Sequence, residues 1–312
     1  MAQVSMQQVK ELRDRTQAGL NDCRGALMEA EGDMDKAVEI ILKKGLAKSA
    51  KRAGAVATEG TVAVRLEQNA KAGVIVEVNI QTDFAARSEG FKSFVQKTLE
   101  AASSAKSGAD LGGEPFPGGS GSVEEARAVL VGKLGENIVV RRWERLSIDG
   151  AGKVHSYIHM GDKIGVLLAV RAASDAVAGK PEFSKFVDDV AMQIAAMSPQ
   201  HVSTSEVPED AKKKQGEIIE AQMAEDPKPV PEKARPKIIE GKLAKWMKEV
   251  CLLEQASVLE SDKSIEQLRA AVSKALGGEV TIARFVRYEV GEGIEKPTAP
   301  DFADEVAKMA GN

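Results

Sequence analysis

The chain has 312 residues, 43% of them apolar, which is enough for about two or three domains with cores of ordinary size. Its 43 Lys and Arg against 47 Asp and Glu leave a net charge of −4, a balance that argues against a dedicated nucleic-acid binder. Cys23 and Cys251 are the only cysteines and form no C-x-x-C pair, which argues against a disulfide framework and a thiolate zinc site.

The opening residues, Met1 to Gln7, lack a basic end leading into an apolar run, and no stretch reaches membrane-spanning length. A cytoplasmic protein without a membrane partner is therefore expected. Residues 1–55 read as three short helices. Ser5 can cap a helix through Arg15 with Val9 and Leu12 on one face; Asn21 or Asp22 can cap a run through Leu27; Asp33 can cap Ala37 to Leu42, ended by Gly45. A bundle of this size suits docking on a partner better than catalysis. The basic run Lys43, Lys44, Lys48, Lys51 and Arg52 has no interleaved aromatics, so it reads as a solvated helix face rather than a nucleic-acid patch.

Two core halves follow, residues 56–148 and then 149–204 with 256–290. At a constant offset of 92, Gly60-x-Val62 aligns with Gly152-x-Val154, Gly73-Val74 with Gly165-Val166, and Phe91, Phe94 and Val95 with Phe183, Phe186 and Val187. Each copy reads as strand, turn, strand and then a helix with apolar positions at i, i+3 and i+4. In the first copy Val76, Val78 and Ile80 alternate with polar neighbours, the pattern of a half-buried strand. The pattern stops at Thr82-Asp83, good helix caps, and Phe84 follows where solvent is expected. Either Phe84 packs into the protein's own core, or it is held out for a partner. Residues 107–122, six of them glycine, read as a flexible loop.

A third strand closes each copy. Leu134-Gly135 and Ile138-x-Val140-x-Arg142 match Leu276-Gly277 and Val280-x-Ile282-x-Arg284 at an offset of 142, so about 50 residues are inserted between Ser198 and Val258 of the second copy. The insertion, residues 205–255, fits a helical coiled-coil hairpin. Ala211, Gln215, Ile218 and Gln222 form one seam and Ile239, Leu243, Trp246 and Val250 the other, with Pro227, Pro229, Pro231 and Pro236 breaking the chain between them. The first seam is weakly apolar and needs a further surface to cover it, self-association through the hairpin included. The fold class is thus α+β: a three-helix bundle, a duplicated core with antiparallel sheets, an inserted hairpin and, at 291–312, a short C-terminal helical module.

Catalytic signatures are missing. None of the Gly-Lys pairs at Lys133, Lys153, Lys180 and Lys242 belongs to a phosphate loop. His155 and His159 alternate along a strand, where four steps span about 13 Å, too far for two ligands of one zinc ion. His159 therefore reads as a surface contact, and His201 as a loop residue. The glycines near Gly118 and at Gly291-Glu292-Gly293 do not sit between a strand and a capped helix, as a phosphate cradle would. No enzyme activity, metal or cofactor is expected.

Three motifs in order, Leu12-Arg13-x-x-Thr16-x-Ala18-Gly19-Leu20-x-Asp22-Cys23, Glu77-Val78-Asn79-x-Gln81-Thr82-Asp83-Phe84 and Arg287-Tyr288-Glu289-Val290-Gly291-Glu292-Gly293-Ile294, span the chain. Together they resemble bacterial elongation factor Ts, the guanine-nucleotide exchange factor of elongation factor Tu, a translational GTPase. The resemblance implies that Asp83 and Phe84 enter the GTPase beside its magnesium and phosphate site, that Leu134 and His159 extend that contact, and that Arg13, Leu20 and Arg24 grip a helix of the same domain. From the charge balance, no nucleic-acid partner is expected. The chain departs from the family pattern at Ile80, at Arg24-Gly25 and at Ala85, whose small side chain would trim the apolar surface beside Phe84. A phenylalanine fixed at such a junction gains roughly 2 kcal/mol on burial in a partner pocket.

Overall fold

The computed structural model describes residues 4–16, 18–67, 69–119, 121–225 and 231–295, and the chain divides into two compact units. The first holds Met1–Ala63, Val76–Trp143 and Glu289–Asn312; the second holds Val64–Ile75 and Glu144–Tyr288. The fold is α+β, with two three-stranded sheets among the described residues. Pro227, Pro229 and the C-terminal helical module from residue 296 onward lie outside the described residues.

Helix α1 (Met6–Thr16) starts where Ser5 and Gln8 bond each other's backbone N–H groups, the reciprocal cap that the sequence suggests. Helix α2 (Leu20–Glu29) begins after Gly19 without a side-chain cap, so Asn21 and Asp22 lie inside the helix and not ahead of it. Asp33 caps α3 through the Asp35 and Lys36 N–H groups, but α3 (Met34–Arg52) runs past Gly45. The reason is a crossing. A Cβ at Gly45 would lie 3.1 Å from Val129 N, so glycine here admits a second helix instead of ending the first. Val129 joins Val9, Leu12, Cys23, Leu27 and Ile41 in one core, and Arg127 donates to Ser49 Oγ at 2.8 Å. The bundle therefore shares its interior with the first core half.

Strands β1 (Glu59–Glu67) and β2 (Ala72–Ile80), the short turn α4 (Asp83–Ala86), α5 (Glu89–Ser104), α6 (Val123–Leu134) and β3 (Ile138–Ser147) form the first copy, with sheet order β1-β2-β3. All nine residues of β2 are buried, including Glu77 and Asn79, so the strand is not half-buried as its alternation suggests. It is the central strand, and its polar face is covered too. Residues 107–122 are tied down: Leu111 is buried, Phe116 stacks on Phe94 at 5.7 Å, and Trp143 donates to Ala109 O. A loop rich in glycine is here a packed one.

The second copy comprises β4 (Gly152–His159), β5 (Ile164–Ala172), the turn α7 (Asp175–Ala178), α8 (Pro181–Met197), helices α9 (Glu209–Glu225) and α10 (Arg235–Val250), α11 (Ile265–Leu276) and β6 (Val280–Glu289). Its sheet order is β4-β5-β6, with β4 and β5 antiparallel from Gly152 opposite Arg171 to His159 opposite Ile164. The return strand β6 thus closes the second sheet, as the offset of 142 requires. Phe91, Phe94 and Val95 and their counterparts Phe183, Phe186 and Val187 are all buried.

The hairpin differs in register. On α9 the buried residues are Ile219 and Met223, while Ile218 and Gln222 are exposed; the seam advances by fours because the larger apolar side chains lie one position on. The first arm is therefore more apolar on its inner face than the sequence reading allows. Within the segment 205–255, Leu252 is fully buried in the second copy's core, and hydrogen bonds pin the base of the hairpin there. His201 N–H and Gln200 N–H donate to Val250 O, Leu252 N–H donates to His201 O, and buried Gln193 bonds Gln255 and Ala256.

Candidate partner-binding site

Strand β2 ends at Ile80, fully buried, and delivers the chain to Thr82 at a fixed point. Thr82 caps α4: its Oγ1 accepts from Ala85 N–H at 3.2 Å. Ala85 and Ala86 turn inward and are 8% exposed, whereas Phe84 is 86% exposed. Packing of Phe84 into the protein's own core is thereby ruled out. Ala85, for its part, does not trim the surface beside Phe84, because its side chain faces the interior. Asp83 forms an exposed pair with Arg87 at 2.8 Å, an interaction that counts for little against water.

The loop between α6 and β3 is joined to this turn. Leu134 is half-buried, and Gly135 ends α6 in the left-handed conformation at φ 76°. Glu136 then spans to Thr82, taking the hydroxyl proton on Oε1 at 2.7 Å and the backbone N–H on Oε2 at 3.0 Å. Asn137 N–H donates to Gln81 Oε1 at 2.7 Å, and the Asn137 amide donates to Ala55 O at 2.8 Å. Asp83, Phe84 and the Leu134 loop are thus brought together by side chains far apart in sequence.

His159 belongs to the second unit, as the exposed last residue of β4, with its ring against Tyr157 and its Nδ1 3.1 Å from the Tyr157 hydroxyl. His155 points elsewhere and pairs with Asp188 at 3.1 Å; burial holds its pKa below the usual value, against the pull of Asp188 and aided by Lys153. Among the described residues no group of three His, Cys, Asp or Glu is placed to hold a metal ion.

Arg13 on α1 and Leu20 and Arg24 on α2 are all exposed, and Leu20, Arg24 and Met28 form a stripe at four-residue spacing. Met28, 54% exposed, was readable only as the next step of that stripe.

Sequence reasoning missed Glu77. It is fully buried on β2, 2.6 Å from Arg142 and 3.0 Å from Arg141, and it accepts the Asn79 amide and the Gly291 N–H at 3.0 and 2.9 Å. Burial alone would raise its pKa, but Gly291 N–H, Asn79 and Arg142 outweigh that and hold the carboxyl below its usual value. This gives the Gly291-Glu292-Gly293 motif its role. Gly291 has φ 75°, and a Cβ there would overlap Thr58 O, so no side chain fits, while Arg141 bonds Glu292 O. The motif ties the chain after β6 onto the strand that leads to Phe84.

A family model described as "Elongation factor TS" matches residues 81–292. Relatives named elongation factor Ts run nearly the full length of the chain. The protein of a Nitratiruptor species is 45% identical over 306 residues, covering 97% of this chain and 98% of the relative. That of a Type A strain of Clostridium perfringens is 45% identical over 312 residues, covering 99% of each. The protein of Symbiobacterium thermophilum is 44% identical over 315 residues, covering all of this chain and 99% of the relative.

Proposed function

Because the chain belongs to the elongation factor Ts family, whose members exchange guanine nucleotide on elongation factor Tu, we propose that it releases GDP from that GTPase by inserting Asp83 and Phe84 beside the magnesium and phosphate site. The observation that carries this reading is the exposure of Phe84 on a capped, anchored turn. An aromatic ring in water at a fixed position has its apolar surface available for a partner. Leu134, on the loop latched to the same turn, extends that contact, and His159 makes a separate one. Arg13, Leu20 and Arg24 dock the bundle on a helix of the GTPase.

Exchange of this kind makes and breaks no covalent bond in the factor. If the factor binds the empty GTPase more tightly than the GDP form, linkage weakens GDP by the same ratio, tenfold for each 1.4 kcal/mol. Nucleotide then displaces the factor in turn. The contacts invoked are to protein alone, without nucleic acid or a second copy of the chain.

The test is release of a fluorescent GDP from elongation factor Tu with and without the chain; accelerated release is expected, and an unchanged rate overturns the proposal. Docking is tested by Leu20→Ala and Arg24→Ala, which should weaken the complex. Point variants are preferable to truncation of the bundle, because α3 shares its core with α6.

A further inference from the structure

Thr82 has one hydroxyl proton and two lone pairs, and the structure uses both kinds of group. The proton goes to Glu136 Oε1 at 2.7 Å, which turns a lone pair onto the Ala85 N–H that the cap must satisfy. The second carboxylate oxygen takes the Thr82 N–H at 3.0 Å. One side chain therefore fixes the hydroxyl rotor and the backbone of the residue two before Phe84, from a loop 54 positions away.

The duplication supplies an internal comparison. At the offset of 92, Ser174 stands for Thr82 and caps Val177 N–H in the same way, and Ala176 stands for Phe84. At the offset of 142, Glu136 becomes Gly278, which packs directly on Val177 and Ala173. The copy with an exposed aromatic ring has the carboxylate latch. The copy with alanine there has a serine cap, and glycine at the position of the carboxylate.

We propose that Glu136 is a positioning residue, which holds the Thr82 cap and so presents Phe84 in one orientation to a protein partner. The inference rests on the wedge reading of Phe84 but is tested partly without it. Two measurements are made on the full chain: amide hydrogen exchange at Thr82 and Ala85 in the free protein, and stimulated GDP release. Glu136→Ala should speed exchange at both amides and slow GDP release about tenfold, with a thermal melt close to the parent. Thr82→Ser keeps the hydroxyl and should retain parental behaviour in both assays, whereas Thr82→Val should behave like Glu136→Ala. The double variant Glu136→Ala/Phe84→Ala should release GDP no more slowly than Phe84→Ala alone, since the carboxylate acts through the ring.

Parental GDP release by Glu136→Ala, alongside slow release by Phe84→Ala, overturns the positioning role. A double variant slower than Phe84→Ala also overturns it, since Glu136 would then act on the partner by itself. If Phe84→Ala releases GDP at the parental rate, the wedge reading fails instead; the latch is then decided by the amides alone, and unchanged exchange at Ala85 refutes it.

Discussion

The two copies meet the same structural problem at the same place and solve it with different side chains. After its second strand the first copy reads Thr82-Asp83-Phe84-Ala85, and the second reads Ser174-Asp175-Ala176-Val177. Both begin a one-turn helix with a hydroxyl cap, and both turn the fourth residue inward, Ala85 at 8% and Val177 at 6% exposure. Only the third residue differs in kind. The second copy places alanine where the first exposes a phenyl ring, and closes the space with Gly278 where the first has Glu136. The cap and the inward fourth residue are common to both copies, whereas the exposed ring and the carboxylate held against its cap are features of the first.

This division can be attacked first on its shared part. Gly60 and Gly152, 92 residues apart, have φ of 142° and 130°, and a side chain on either would overlap the carbonyl oxygen of Val78 or Val170. Gly60→Ala and Gly152→Ala should each lower stability by about 3 kcal/mol in denaturant melts. Comparable losses support an equivalent scaffold; a harmless change in one copy breaks the equivalence.

Glu77 sharpens the comparison because its counterpart at the same offset is Ala169, so the buried carboxylate belongs to the first copy alone. Glu77→Ala should destabilise by about 3 kcal/mol at neutral pH, since Arg141, Arg142 and Gly291 N–H lose their common acceptor. Its pKa is lower folded than unfolded, so its stabilising contribution is complete above the usual glutamate value of 4.5 and is lost as pH falls through the depressed folded value. Urea melts from pH 7 to pH 3 should therefore show a steeper acid decline for the parent than for Glu77→Gln.

A smaller effect is expected at the hairpin. Replacing residues 209–248 by a short Gly/Ser linker, while keeping Val250 and Leu252, should preserve cooperative unfolding with a loss of about 1–2 kcal/mol. Exchange activity should fall without vanishing, because Asp83, Phe84, Leu134 and His159 lie outside the deletion. Loss of cooperativity would mean that the hairpin is part of the second copy's core.

How much of this could be read from the sequence follows from the range of the interactions. The repeat offsets, the closing strand β6 and the Ser5 and Asp33 caps are local or periodic signals, and each reappears in the structure. The cap before Phe84 marks its place, but its exposure follows from Ala85 and Ala86 facing inward, which the sequence does not specify. Gly45 misleads because a helix-ending glycine and one that admits a crossing helix look alike until the second helix is known. Glu77 looks like a solvent-facing residue in an alternating strand, since the groups that bury it come from β3 and from beyond β6. Glu136 is invisible for the same reason, its partner lying 54 residues away.

The most direct test of the central claim, that exchange depends on the ring at Phe84, compares stimulated GDP release from elongation factor Tu by the parent, Phe84→Ala and Phe84→Ala/Ala176→Phe, with thermal melts of all three. The account predicts release slowed by about tenfold to thirtyfold for Phe84→Ala, a melt unchanged because the ring is exposed, and no recovery when the ring is moved to the second copy. Parental rates for Phe84→Ala, or recovery through Ala176→Phe, would contradict it.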